Sequence, residues 1–457
     1  VPDTFKAYTG WFIDTRIRPL PKQFIPKTLI AQAILNPPIS WYGNTIGMER
    51  REDQFNKYTY PVEGCSEIHM IWTDTPCLTT CWNDGNTITK AYRSPKVEFF
   101  LAQHPWVEND CLFADMILPV STVLELDDIG IDGGGAQFNS IFFEEKAIEP
   151  IGESKSDYEI VCMVAEKLGL LNEYTGERFD YTPERKTVGD LIRYGFETSG
   201  MRDLISWEKL KEKKYFVSPT DPHWEKYTPG MRDFYEKPDK NPLNTPTGKI
   251  EFYATGLAEH FPDDKERPPV PHWIPYGESH QESLEHFRAK KYPLLMVSPH
   301  PRWRIHANLD DITWLREIPT CKVRGPDGYR YEPVWVHPKD AEEREIKHGD
   351  IVKVYNERGT VLAGAYVTER VIAGVVNMAH GARYDPIVPG ELDRGGAINT
   401  ITPSKTTSKN ASGMVVNGFL VEIEPSDLGE LIKKYPEAFK KPYHPAAGLC
   451  RERVLEG

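Results

Sequence analysis

The rhythm of hydrophobic and polar positions changes three times along this chain. Residues 1–62 show no sustained period: Pro19, Pro21, Pro26, Pro37, Pro38 and Pro61 surround one helix-like stretch at 27–35. Proline at that density removes backbone donors and interrupts regular elements, so extended segments and turns are expected there. From residue 66 the pattern sharpens. Short apolar runs at 68–73, 97–102 and 114–120 are separated by polar loops, with a helical stretch at 87–93. Strand-forming runs alternating with helical segments predict βαβ units and a parallel sheet. Ser156-Asp-Tyr-Glu159 then has the form of a capping box. Ile160, Met163, Val164 and Leu168 keep helical spacing, and Gly169 stands where a helix stops.

Residues 170–290 are polar and proline-rich, with Lys209, Lys211, Lys213 and Lys214 close together. They read as surface-running connections with short helices, anchored by Trp207, Trp224, Phe252, Tyr253 and Trp273. After Tyr292 strands dominate, at 293–297, 334–336, 351–355, 359–367, 375–378 and 419–423, divided by turn signals such as Glu357-Arg-Gly359 and His348-Gly-Asp350. Several short strands at close spacing predict a small barrel.

Composition narrows the class. A chain of 457 residues suggests roughly three units of about 150 residues. A net charge of −13 argues against a nucleic-acid or anionic-membrane binder, because phosphate affinity comes from clustered Lys and Arg. No apolar run approaches the ~20 residues that cross a bilayer. Seven irregularly spaced cysteines fit a reducing compartment better than a disulfide framework, so a cytoplasmic location is expected. The opening Val1-Pro2-Asp3, with neither Met nor signal peptide, reads as the start of a later part of a longer chain.

Four loops carry candidate chemistry. The loop after Thr73 sits at the carboxyl end of an expected parallel strand, where open α/β sheets bind ligands. It lacks G-x-G-x-x-G, which disfavours a nicotinamide dehydrogenase. Its Cys77 and Cys81 have no second Cys or His pair, so two half-buried loop thiols are a better reading than a metal site. Ser298-Pro-His-Pro-Arg-Trp-Arg-Ile-His306 places two histidines, two arginines and a hydroxyl directly after a strand. Such donors suit an anionic or heteroaromatic ligand, although they also suit ties between neighbouring strands. His380-Gly-Ala-Arg-Tyr384 ends another strand, and Gly395-Gly-Ala-Ile-Asn-Thr-Ile-Thr402 combines glycine freedom with an amide and hydroxyls. His300, Arg302, Arg304, His306 and Arg383 are expected to form a self-repelling cluster that a bound anion relieves.

Taken in order, Ala114-Asp-Met-Ile-Leu-Pro119, the segment 148–157, Thr245-Pro-Thr-Gly-Lys-Ile-Glu-Phe252, the 298–306 motif, the segment from Ala341 to Asp350 and Asn399-Thr-Ile-Thr402 resemble the C-terminal half of the dimethyl sulfoxide reductase family. The resemblance runs through most of residues 63–425. It implies an α/β plus β fold: a Rossmann-like parallel α/β domain followed by a six-stranded double-psi β-barrel. The implied domains are the end of a cap at 1–62, the α/β domain at 63–170, a return through the cap at 171–290 and a dinucleotide-binding barrel at 291–457. The implied cofactors are two molybdopterin guanine dinucleotides with molybdenum or tungsten.

Carried over residue by residue, Ser298, His300 and His306 match a motif lining the pterin, with Arg302 and Arg304 as phosphate or pterin partners. Asn399 and Thr402 match a later barrel segment that bonds a pterin, and His380 and Gly381 a strand end facing the cofactor. Trp72, Thr73, Asp74, Thr75, Gln103 and His104 match strand ends near a guanosine. Asp157 can accept from the N–H edge of guanine, or simply favour its helix dipole. The family's metal ligand lies in its N-terminal half, so no metal ligand and no catalytic acid or base is assigned here. Within the family the chain looks most like members acting on small phenols, which implies hydroxyl transfer between polyhydroxybenzenes without net redox change, a small iron–sulfur subunit and an N-terminal half as partners. Removal of a catechol hydroxyl is the neighbouring activity, and a cofactor-binding scaffold without catalysis is the alternative of another class.

Overall fold

The computed structural model describes residues 21–43, 51–132, 140–175, 188–198, 201–217, 219, 231–273, 282–310, 312–318, 320–440, 443–444 and 448–449. Pro19, Trp224 and Cys450 lie outside these residues. The chain divides into two compact units, one built from Leu118–Phe252 and the other from Lys22–Ile117 with Tyr253–Gly457.

The larger unit begins with an α/β layer. A single 3-10 turn at Lys27–Leu29 leads into helix α1, Ile30–Leu35. Strand β1, Met70–Thr73, is followed by the one-turn helix α2, Leu78–Cys81, and by helix α3, Gly85–Tyr92. Strand β2, Phe99–His104, pairs in parallel with β1, Thr73 opposite Ala102. Strand β3, Met116–Pro119, whose residues from Leu118 on are counted with the other unit, is third in the sheet order β1-β2-β3. The expected parallel α/β layer is therefore present. Ile34 of α1, Ile88, Ala91 and Tyr92 of α3 and Phe100 of β2 form one buried cluster. Burial of each large side chain there stabilises the layer by roughly 1.5–3 kcal/mol.

The second unit contains a sheet that the periodicity did not reveal. Strand β4, Asp128–Asp132, and strand β5, Ser140–Glu144, pair antiparallel. Helix α4, Asp157–Lys167, follows with its capping box complete: Ser156 accepts from the Glu159 N–H, and Glu159 accepts from the Ser156 N–H. Gly169, at φ +71°, ends it as expected. Helices α5, Val188–Thr198, and α6, Trp207–Lys213, precede strand β6, Tyr215–Val217, which pairs antiparallel with β5. Residues 170–217 thus contribute a strand as well as surface connections. Ile141, Phe143, Phe196, Met201, Ile205 and Leu210 form the core of this unit.

All six expected barrel strands are present in the larger unit. They are β7, Leu294–Val297; β8, Pro333–Val336; β9, Ile351–Asn356; β10, Gly359–Val367; β11, Val375–Asn377; and β12, Phe419–Pro425. The order β8-β11-β7-β12-β9-β10 closes through parallel pairing of β8 with β10. The result is a closed six-stranded mixed barrel. Alternation explains it: Leu294 and Met296 of β7, and Val352 and Val354 of β9, point into one core with Val336, Val361, Ala363, Val376, Phe419 and Val421. At Gly364, where a Cβ would strike the Val323 side chain, the barrel wall accepts close cover.

Candidate functional site

Strands β7 and β11 run parallel, with Asn377 opposite Val297, so their following loops leave the same end of the barrel side by side. The Met378 N–H donates to the Val297 carbonyl at 3.1 Å and the His380 N–H to that of Pro299 at 3.3 Å. This register brings His300 and His306 together with His380, 74 to 80 residues further along the chain. The ring centroids of His300 and His380 lie 4.3 Å apart and nearly perpendicular, and His306 Nδ1 lies 3.1 Å from His380 Nε2. One of those nitrogens donates and the other accepts, according to tautomer. His300 and His306 are exposed and His380 is buried. Burial, reinforced by the neighbouring imidazoles and by Arg304, pushes the His380 pKa down to about 4. Ligating atoms of all three lie within 4.8 Å of one another, so this set is chemically able to hold a metal ion as well as an organic acceptor.

His306 sits at φ +52°, in a turn closed by reciprocal backbone hydrogen bonds between Ile305 and Asn308. Gly381, at φ +79°, makes room for it, because a Cβ there would overlap the His306 carbonyl. The Gly381 N–H also donates to the Thr80 carbonyl of α2 at 3.2 Å.

Arg304 is turned away from this surface, which corrects its reading as a phosphate or pterin partner. Its side chain is fully buried. Nε and Nη2 donate to the His380 carbonyl at 3.2 and 2.8 Å, Nη1 to Asp310 at 3.1 Å, and both Nη atoms to Glu332 at 3.1 and 2.9 Å. Lys322 donates to Glu332 at 2.7 Å and Arg316 to the Asp310 carbonyl at 2.7 Å. The expected self-repelling cluster is corrected by the same contacts: Asp310 and Glu332 compensate Arg304, and Arg383 lies 3.0 Å from Glu108. Arg302 is exposed, its guanidinium 5.7 Å over the ring of Trp303.

The third loop arrives as a 3-10 turn, Ile398–Ile401, packed on α2. Asn399 Nδ2 donates to the Trp82 carbonyl at 3.1 Å, and Asn83 Nδ2 to that of Pro403 at 3.3 Å. The Thr402 hydroxyl accepts from the Asp84 N–H at 2.8 Å and donates to the Asn399 carbonyl at 2.9 Å, so it ties the two loops together. Asp110 holds α2 from below, accepting from the Leu78 and Thr79 N–H groups and the Tyr92 hydroxyl. Cys77 and Cys81 share a hydrogen bond that, with burial, raises the Cys77 thiol pKa.

At the ends of β1 and β2, Trp72 Nε1 donates to Gln103 Oε1 at 3.0 Å, with the Trp72 ring exposed and Gln103 buried. Thr73, Asp74 and Thr75 form a local turn: the Thr75 N–H donates to the Thr73 hydroxyl, and the Thr75 hydroxyl to Asp74. His104 Nδ1 faces the backbone of Trp106. Asp157 is exposed on the first turn of α4, in the other unit. The structure thus gathers His300, His306 and His380, and it gathers Asn399 and Thr402 with α2. Asn83 was missed by sequence reading. Its signal is a loop amide among consecutive polar residues, which composition alone does not separate from a solvated turn.

Among the described residues, Ser298 Oγ, Asn83 Oδ1 and Asn399 Oδ1 are buried polar atoms without a hydrogen-bond partner, as are Thr79 Oγ1 and Asn308 Oδ1. Each unmet buried acceptor or donor costs roughly 1–3 kcal/mol. Two amide oxygens and a hydroxyl beside three imidazoles fit a ligand rich in N–H donors and ring acceptors, as a pterin is. The donor set therefore suits a molybdopterin.

Comparison with known proteins agrees. Residues 46–167 match the family described as Molybdopterin oxidoreductase, and residues 294–418 that described as Molydopterin dinucleotide binding domain. The chain is 35% identical over 439 residues to the pyrogallol hydroxytransferase large subunit of Pelobacter acidigallici, covering 89% of this chain and 48% of that protein. It is 32% identical over 352 residues to trimethylamine-N-oxide reductase of Haemophilus influenzae, covering 75% of this chain and 39% of the relative. Among solved structures, acetylene hydratase from Pelobacter acetylenicus shares the fold with a TM-score of 0.55 at 18% identity, over 80% of this chain and 45% of that one. The chain spans about half the length of the curated relatives it matches. With its barrel matched to a dinucleotide-binding domain and its α/β layer to the oxidoreductase domain, the chain belongs to the molybdopterin oxidoreductases of the dimethyl sulfoxide reductase family.

Proposed function

We propose that this chain is the dinucleotide-holding part of a molybdenum transhydroxylase that moves a hydroxyl between polyhydroxybenzenes, pyrogallol among them, without net redox change. The observation that carries this reading is the joint identity and reach of the likeness to the Pelobacter hydroxytransferase, 35% over 89% of the chain, against 32% over 75% and 28% over 88% for two trimethylamine-N-oxide reductases. When bound, the molybdenum dinucleotide supplies two-electron redox chemistry. The chain's residues hold and orient it. Ser298, His300, His306, His380, Gly381 and Asn399 face the pterin, with Asn83 beside them and Thr402 fastening the loop. Trp72, Thr73, Asp74, Thr75, Gln103, His104 and Asp157 are assigned to the guanosine ends, and Arg302 to a phosphate. In this reading residues 1–62 and 171–290 belong to a cap, 63–170 to the α/β domain and 291–457 to the barrel.

His380, neutral at physiological pH, keeps one ring nitrogen as donor and one as acceptor, so the imidazole pair shares a hydrogen bond without a buried charge. A small iron–sulfur subunit is the proposed partner, since the Pelobacter relative is itself named as a large subunit. An anaerobic cytoplasm is the proposed setting. Among the described residues no helix is long and apolar enough to cross a membrane.

The test is an anaerobic assay of the full polypeptide with any copurifying subunit. Phloroglucinol should form from pyrogallol when a polyhydroxybenzene co-substrate is present, with no external reductant. Hydroxyl loss from a catechol that requires a reductant would identify a dehydroxylase instead. Absence of both activities, with no molybdenum bound, would leave the scaffold reading.

A further inference from the structure

Behind the histidines lies a buried group of charges that no contact with a cofactor requires. Arg304, Arg316 and Lys322 meet Asp310 and Glu332, all five side chains at most 5% exposed. Glu332, at the approach to β8, receives both Nη atoms of Arg304 and the Lys322 ammonium, so its two oxygens are engaged from two sides. Held in that fork, the guanidinium presents Nε and Nη2 to the carbonyl of His380 and Nη2 to that of Ala379, at 3.3 Å. Those carbonyls belong to the residues that place the His380 ring 3.1 Å from His306. A planar fork satisfied on one edge by a carboxylate and on the other by two carbonyls fixes both position and orientation, which an ammonium does not. Gly396 adds a constraint, since a Cβ there would strike the Glu332 side chain.

We propose that Glu332 is a positioning residue: acting through Arg304, it sets the Ala379–His380 carbonyls and thereby the spacing of the His380–His306 imidazole pair that faces the cofactor. The cofactor-facing role rests on the reading in the preceding section; the spacing itself does not.

Two readouts separate the inference from that reading. In the full polypeptide prepared without cofactor, histidine-selective 15N spectra should show a distinct hydrogen-bonded imidazole signal in the parent protein. Glu332→Gln and Arg304→Lys should both lose it, whereas Lys322→Met should keep it. In the loaded protein, Glu332→Gln should lower kcat per bound molybdenum at least tenfold with KM changed less than twofold, and should alter the Mo(V) spin-resonance spectrum. If Glu332→Gln fails to fold, the charge-balanced Glu332→Gln/Lys322→Met pair carries the same expectation. A histidine spectrum unchanged in Glu332→Gln and Arg304→Lys overturns the inference even where molybdenum is bound. An absent cofactor in the parent protein overturns the functional reading, while the histidine spectra still decide the positioning role.

Discussion

The carbonyl of His306 occupies the space in which Gly381 would carry a Cβ. Both residues have left-handed backbones, φ +52° and +79°, and their contact locks two loops that come from different strands. A left-handed backbone at a non-glycine residue costs on the order of 1–3 kcal/mol, so the histidine's conformation persists because its surroundings over-determine it.

Gly381→Ala therefore meets two obstacles, an unfavourable φ and a backbone overlap that no rotamer relieves. Stability should fall by more than about 2 kcal/mol, and cofactor content should fall with it. Urea midpoints beside molybdenum analysis measure both. A variant with parental midpoint would show that the loops separate freely.

His306→Ala should behave differently. The ring is exposed but shares one hydrogen bond with buried His380, so cofactor-free stability should fall by no more than about 1 kcal/mol. Pterin retention should fall, because a hydrogen-bonding imidazole is lost from the ligand face. Full pterin content with an equal loss of stability in both forms would assign the ring to structural ties alone.

The pH dependence follows from His380. Its folded pKa of about 4 lies below the ordinary value of 6.5, so the unfolded chain binds the proton more readily. Stability rises with pH wherever the unfolded state holds more protons. The contribution is complete above about pH 6.5 and is lost as pH falls toward about 4. Urea midpoints of cofactor-free protein should drop between pH 7 and pH 5, and His380→Asn should flatten that limb. An equally steep limb in the variant would place the titration elsewhere.

Ser156→Ala serves as a contrast in the other unit. It removes the side-chain half of the α4 capping box and should cost about 1 kcal/mol. The loss should show as faster amide exchange in the first turn of α4. Unchanged exchange would mean that tertiary contacts hold that turn without its cap.

Much of this protein was legible along the chain because the information is local. The capping box and Gly169 mark α4 through backbone groups within a turn of each other. The barrel strands announce themselves by alternating burial, as in Ile351–Asn356, where Val352 and Val354 point inward. Other features were settled only by distant partners. The β4-β5-β6 sheet joins Ser140 to Val217 across a long excursion, and neither short strand has enough residues to show a period. Arg304 reads as a ligand-facing cation beside Trp303 and His306, yet it turns inward because Glu332, 28 residues away, and the His380 carbonyl, 76 away, meet all its nitrogens. A guanidinium goes where its donors are satisfied, and those acceptors exist only once the barrel has closed. The three histidines likewise meet because β7 and β11 pair in parallel. Periodicity and capping are short-range preferences of the backbone, whereas burial, charge compensation and the gathering of a site depend on which strands become neighbours.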